Sequence, residues 1–212
     1  MKYSRFKYFL PFVLILNILC SGCGDRQPQI NPISKNSRIL AFGDSITYGT
    51  GAGPEESYPS ALSNLLGCEV INAGIPGEMT KEGVERLPSL LEEYNPDVVI
   101  ICHGGNDLLG QRNNNSIENN LENMIIAAKN SNCDVILVGV PSPALILHPP
   151  EFYKKIAKKY NIPYEGKIIS NILNSPSLKS DPIHPNANGY RKLAEALKKI
   201  FVRQKLRDYY TS

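Results

Sequence analysis

The chain has 212 residues, of which 42% are apolar and 20% charged, enough for one globular domain with a substantial core. Its formal net charge is +3, but Lys2, Arg5 and Lys7 sit at the extreme N-terminus and the C-terminal tail is also rich in Lys and Arg, so the remainder is close to balanced. That leaves no electrostatic case for nucleic-acid binding, and no internal repeat or low-complexity array is visible.

Residues 1–23 have the layout of an export signal. A basic start is followed by the apolar stretch Phe9 to Leu19, broken only by Pro11 and Asn17, then by small Ser21 and Gly22, then by Cys23. The apolar stretch is short for a transmembrane span. The layout resembles a bacterial lipoprotein signal, whose cleavage would leave a lipidated Cys23, although Cys20 stands where that motif usually carries Leu. An ordinary cleaved signal or an uncleaved anchor is the alternative. Lipid on Cys23 would tether the protein to a membrane surface in the cell envelope, on the periplasmic or the outer side. Residues 24–37, polar with Pro28 and Pro32, read as a flexible tether.

The domain starts at Arg38. Ile39 to Phe42 is a short apolar run bounded by breakers, which predicts a buried strand. Gly43 allows a sharp turn there. Ser45 follows, just past the strand's carboxyl end, where open α/β sheets place their ligand crevice. A serine after a strand is more commonly a turn or cap residue, so a nucleophilic role depends on the rest of the chain. Thr47 to Pro54 is too rich in Gly for regular structure and reads as a pocket wall or a plain connector. No Gly-Lys-Ser/Thr closes it, so it is not a phosphate loop.

Ser57 to Leu66 predicts a helix with Leu62, Leu65 and Leu66 on one face, Pro59 in its first turn and Gly67 ending it. Cys68 to Asn72 is the second strand, ending in Ala73-Gly74-Ile75-Pro76-Gly77. Thr80 is placed to cap a helix reaching Tyr94, with Val84, Leu87, Leu90 and Leu91 inward and a kink or restart at Pro88. Asp97 to Cys102 is a β-branched run suited to a parallel strand buried on both faces, and it ends in His103-Gly104-Gly105-Asn106-Asp107. A helix over 117–129, a strand over 134–140, a proline-broken loop to Pro150 and a helix from Glu151 to Tyr160 follow. Ile162-Pro163-Tyr164 suggests a short last strand and Ile168 to Leu173 a helix. A long final helix after Pro185 turns Tyr190, Leu193, Ala194, Leu197 and Phe201 inward.

This alternation predicts a three-layer α/β/α domain over 38–212, with a mainly parallel five-stranded sheet. Right-handed crossovers would bring Gly43-Asp44-Ser45, Asn72-Ala73-Gly74 and Gly105-Asn106-Asp107 to one sheet edge. Cys68, Cys102 and Cys133 are odd in number and lie in apolar surroundings, which favours buried free thiols and leaves a disulfide open. No pair has metal-site spacing. Cys102 and His103 are adjacent in a strand, so their side chains point to opposite faces and do not form a dyad.

A serine nucleophile needs a base, and His103, His148 and His184 are the candidates. His184 has Asp181 three residues earlier with Pro182 between them, so one turn offers a carboxylate to Nδ1 and leaves Nε2 for Ser45. Pro185 suits the first position of a helix, which puts His184 at a helix entrance. A capping Asp beside a surface His has the same pattern. An acyl-transfer site also needs oxyanion donors. The Ser45 N–H, the Gly74 N–H and the Asn106 carboxamide qualify, although Gly74 alone reads equally as a tight turn and Asn106 as an Asx turn. His103 reads as a near-core histidine supporting the Asn106 loop, and His148 as solvent-exposed or on the pocket rim.

Gly43-Asp44-Ser45, Gly74, Gly105-Asn106-Asp107 and Asp181-x-x-His184 together resemble the four motifs of the SGNH, or GDSL-type, serine hydrolases. The resemblance runs from Arg38 to about Phe201. Asn72 to Gly77, Arg86-Leu87-Pro88 and Gly104 to Asp107 are similar to the branch of acyl-CoA thioesterase/lysophospholipases and arylesterases. Ile46 departs from the Leu of the name motif. The resemblance implies a flavodoxin-like strand order and no metal or organic cofactor. It makes Ser45 the nucleophile, His184 the general base and then acid, and Asp181 its orienting partner. The Ser45 and Gly74 N–H groups with Asn106 become the oxyanion hole. The implied substrate is a small-molecule or lipid ester: an aryl ester, lysophospholipid, acyl-thioester or acetylated surface glycan. A non-catalytic surface binding protein on the same fold is the competing expectation.

Overall fold

The computed structural model describes residues 28–143 and 147–211, with side chains described as far as Val202. The expected signal and its Cys23 lie outside the described residues. Strands β1 (Arg38–Gly43), β2 (Glu69–Gly74), β3 (Val98–Cys102), β4 (Asp134–Val138) and β5 (Tyr164–Glu165) form one all-parallel sheet in the order β2-β1-β3-β4-β5. This is the flavodoxin-like order, and its direction reverses between β1 and β3, where a crevice opens at the carboxyl ends. Every residue of β3 is buried, as its unbroken Val-Val-Ile-Ile-Cys sequence requires between two helical layers.

The helices are α1 (Ser45–Tyr48), α2 (Tyr58–Leu66), α3 (Thr80–Tyr94), α4 (Gly105–Leu109), α5 (Asn114–Asn130), α6 (Glu151–Tyr160), α7 (Ile168–Leu173) and α8 (Ala187–Thr211). α2 packs on α8, which also meets α7, while α5 packs between α3 and α6; the two groups cover the two sides of the sheet. The inward residues expected of α8 are all buried: Tyr190, Leu193, Ala194, Leu197 and Phe201.

Several local expectations are corrected. The glycine-rich stretch after Ser45 is not wholly irregular: Ser45–Tyr48 is a helical turn, capped by the Asp44 carboxylate on the Ile46 N–H and closed by Gly49 in the left-handed conformation. α3 runs unbroken through Pro88, which lies on its exposed side, where water can satisfy the carbonyl left without an N–H partner. Thr80 does not cap α3 but is its first residue; the cap comes from Asp107, whose carboxylate accepts the Thr80 N–H at 2.9 Å and its hydroxyl at 2.8 Å. A carboxylate there also suits the positive end of the helix dipole.

The tether expected over 24–37 is docked along its described part. Ile30 is buried in the core and Ile33 packs against it, while the Asn31 N–H donates to the Asp134 carboxylate. Burial of Ile30 and packing of Ile33 offset part of the freedom the segment loses on docking.

Candidate active site

The strand register sets the site. Gly43 pairs level with Gly74 on β2 and with Cys102 on β3, so the three polar motifs leave the sheet at one height. Two glycines are required by close approach. A Cβ on Gly43 would overlap the Cys102 carbonyl oxygen, and one on Gly74 would overlap the backbone of Thr47 and Tyr48 in α1. The Asn72 amide completes this clamp, donating to the Tyr48 carbonyl at 3.1 Å. Together they fix the helical turn that begins with Ser45.

Asp44 is buried beneath Ser45. Burial pushes its carboxyl up, against the opposing pull of the Ile46 and Gly105 N–H groups. The Gly105 donor ties the end of β1 to the start of α4, and so links the loops that carry Ser45 and Asn106.

Ser45 Oγ lies 3.0 Å from His184 Nε2, and His184 Nδ1 lies 2.7 Å from Asp181 Oδ2. An ionised carboxylate only accepts, so Nδ1 carries the ring proton and Nε2 is left to accept the Ser45 hydroxyl proton. Asp181 Oδ1 accepts the Ile183 and His184 backbone N–H groups, both at 2.8 Å. Its partial burial acts to raise the carboxyl, but the His184 bond and these N–H donors outweigh it and hold the group below the usual range.

His184 is not at a helix entrance. Pro185 pairs with Lys179 in an antiparallel bridge, the Ser180 N–H donates to the His184 carbonyl at 3.0 Å, and α8 starts only at Ala187. Pro185 lacks an N–H but keeps a carbonyl, which accepts from Ser180 Oγ and helps close the loop. The stretch around Gly51 braces this loop from outside: a Cβ on Gly51 would meet Ser180 and Pro185, and Tyr190 Oη donates to the Thr50 carbonyl at 2.7 Å. Residues 47–54 therefore support His184 and do not line the cavity.

That cavity, about 380 Å³, is lined by Ser45, His184 and Asn106 together with an apolar wall that includes Val140, Pro141, Leu147, Leu173 and Ile183. Asn106 donates one amide hydrogen to the Glu78 carbonyl at 2.9 Å, which leaves its second. Gly74 is placed differently from its expected role. It does not line the cavity, and its single N–H donates to Asn72 Oδ1 at 3.0 Å. The geometry thus brings Ser45, Asp181, His184 and Asn106 together and leaves Gly74 beside them, already partnered.

His148 is exposed and off the cavity wall. His103 is fully buried, its Nδ1 accepting the Gly104 N–H at 2.9 Å and its Nε2 3.0 Å from Glu78 Oε2. Sequence reasoning did not single out Glu78, the partner of His103, or Lys179, which lines the cavity. The only available signals were a Glu just after a Pro-Gly turn and a Lys close before the Asp-x-x-His stretch. Cys68, Cys102 and Cys133 are all buried free thiols. Among the described residues, no group of three or more His, Cys, Asp or Glu could hold a metal ion.

The model of the GDSL-like Lipase/Acylhydrolase family matches residues 41–192. An arylesterase from Vibrio mimicus is 29% identical over 188 residues, covering 81% of this chain and 88% of that protein. The thioesterase 1/protease 1/lysophospholipase L1 of Escherichia coli (strain K12) is 26% identical over 203 residues, covering 92% of each. Among solved structures, the psychrotrophic esterase EstA from Pseudoalteromonas sp. shares the fold, with a TM-score of 0.68 at 23% identity, covering 81% of this chain and 100% of that one. The family match takes in both Ser45 and His184, and the chain therefore belongs to the GDSL-like lipase/acylhydrolase family and is an ester-hydrolysing serine hydrolase.

Proposed function

We propose that the chain cleaves carboxylic esters or thioesters through an acyl-enzyme on Ser45. The observation that carries this reading is the unbroken relay from Ser45 Oγ through His184 to Asp181, opening on a cavity with an apolar wall. Ser45 Oγ attacks the carbonyl carbon and His184 Nε2 takes its proton. The tetrahedral oxyanion is met by the Ser45 N–H, which has no partner within its own helix, and by the free amide hydrogen of Asn106. The Gly74 N–H stays with Asn72 Oδ1 and is left out of this reading. His184 returns the proton to the departing alcohol or thiol. A water molecule, deprotonated by His184, then attacks the acyl carbon, and His184 gives that proton to Ser45 Oγ as its bond to the acyl group breaks and the acid leaves.

The wall formed by Val140, Leu147, Leu173 and Ile183 favours an acyl or aryl group that buries apolar surface. Aryl esters, lysophospholipids and acyl-thioesters meet that description better than an acetylated glycan does. Reaction with a fluorophosphonate tests the assignment directly. The wild type should be labelled on Ser45 and Ser45→Ala should not; an unlabelled wild type, or a Ser45→Ala variant as active on p-nitrophenyl esters as wild type, would sink it.

Attachment to a membrane through lipid on Cys23 forms part of this reading, on the strength of the basic, apolar, small-residue and Cys order of residues 1–23. Growth with a labelled fatty acid should mark the protein, and Cys23→Ser should abolish the mark. Label that persists in Cys23→Ser would remove the proposal.

A further inference from the structure

We infer that the partly buried Glu78–Arg86 ion pair is a positioning device for the oxyanion site, setting which face of the Asn106 amide the substrate meets. The inference rests on the reading of Asn106 as an oxyanion donor. Arg86 grips Glu78 with both ends of a fork, Nε to Oε1 and Nη2 to Oε2, each at 2.6 Å. His103 adds a third bond at 3.0 Å. Because its Nδ1 accepts from Gly104, the ring proton sits on Nε2 and is donated to the carboxylate. Glu78 is 8% exposed and His103 fully buried, while the Arg86 side chain is 21% exposed, so the carboxylate is largely shielded from water. The guanidinium lies 4.4 Å from the centre of the Phe42 ring, which holds it from another side.

A side chain gripped in this way fixes its own backbone, and the Glu78 carbonyl is the group that accepts from Asn106 Nδ2. A carbonyl oxygen can only accept. An Asn106 amide turned over by half a rotation would set oxygen against oxygen there and present its carbonyl, with the wrong sign of charge, to an oxyanion. The Glu78 carbonyl therefore selects the amide orientation that keeps nitrogen towards it. Arg86 extends the same control to β2, because its Nη2 also donates to the Ala73 carbonyl at 3.0 Å, one residue before Gly74. Two loops from different strands are thus tied to one ion pair, and neither Glu78 nor Arg86 lines the cavity.

The test is a double-mutant cycle on the full chain, measuring kcat and KM with a p-nitrophenyl ester. Glu78→Ala should lower kcat by about tenfold to 10²-fold with KM little changed. Added to Asn106→Ala, it should cost almost nothing further, because the amide it orients is gone. Arg86→Lys, which keeps the charge but loses the fork, should follow the same pattern and serves in place of Glu78→Ala if that variant fails to fold. Losses that multiply in the double variants, or a rise in KM alone, would overturn the inference and leave the oxyanion reading standing. An Asn106→Ala variant with wild-type kcat would overturn both.

Discussion

Asp181 holds His184 twice, through the backbone N–H on Oδ1 and through the imidazole Nδ1 on Oδ2. One carboxylate therefore sets both the position of the residue and the tautomer of its ring. Asp181→Asn separates the two effects. The amide oxygen can still accept the backbone N–H groups, but its NH2 faces Nδ1 and drives the ring proton to Nε2, which then donates to Ser45 Oγ and can no longer accept its proton. The expected outcome is a kcat lower by about 10⁴-fold with a thermal midpoint close to wild type. Steady-state kinetics and a melting curve check it.

Asn106→Ala removes one oxyanion donor and leaves the Ser45–His184–Asp181 relay intact. It should lower kcat by about 10²- to 10³-fold at nearly constant KM, because the lost bond strengthens only as charge develops on the oxygen. Fluorophosphonate labelling of Ser45 should slow but persist, and the two rates can be compared on one preparation.

Acid should weaken the fold through Glu78. Burial alone would raise its carboxyl, but the His103 and Arg86 bonds outweigh that and hold it below the usual range. The unfolded chain then takes up this proton at a higher pH than the folded one. The stabilisation is complete above the unfolded value of about 4.3 and is lost as pH falls through the lower folded value. Urea unfolding followed from about pH 6 down to about pH 3 should show the loss, and Glu78→Gln should be less stable near neutrality and depend less on acid.

The domain thiols should be silent until the protein unfolds. Burial pushes the Cys133 thiol up to about 11, and its Sγ donates to the Pro96 carbonyl at 3.1 Å. Cys102 and Cys68 are also raised, burial being the main cause in both. Little thiolate exists near pH 8 and none of it is accessible. Peptides containing these three residues should carry iodoacetamide label only after denaturation, as read by mass spectrometry.

What could be read from the sequence followed from periodicity. The bounds of α6 and α7, the buried β3 run and the inward face of α8 all come from patterns in which neighbours along the chain decide the outcome. The relay was legible for a similar reason: Asp181 and His184 are three apart, and Ser45 marks the end of a clear strand. What escaped depends on partners distant in sequence. Asp107 caps a helix that begins 27 residues earlier, and His103 completes a network whose other members lie on a turn and a helix face. No local pattern announces such pairs. Ile30 and Ile33 were overlooked because proline and polar neighbours dominate the composition of their stretch.

Ile30→Ala tests that last point. Loss of the buried side chain should destabilise the domain by about 2 kcal/mol while leaving kcat unchanged, since Ile30 is outside the cavity.

The docking of Ile30 also limits reach. From Cys23 to Ile30 the difference in numbering, 30 minus 23, gives seven residues, which can extend over at most about 25 Å. A lipid on Cys23 would therefore hold the catalytic domain within roughly one domain diameter of the headgroups. An enzyme so anchored would patrol its own leaflet, and would meet esters presented at that surface far more often than those free in the surrounding fluid. Inserting a Gly-Ser spacer after Cys23 would lengthen the leash without touching the site, and the balance between vesicle-borne and dissolved esters should shift accordingly.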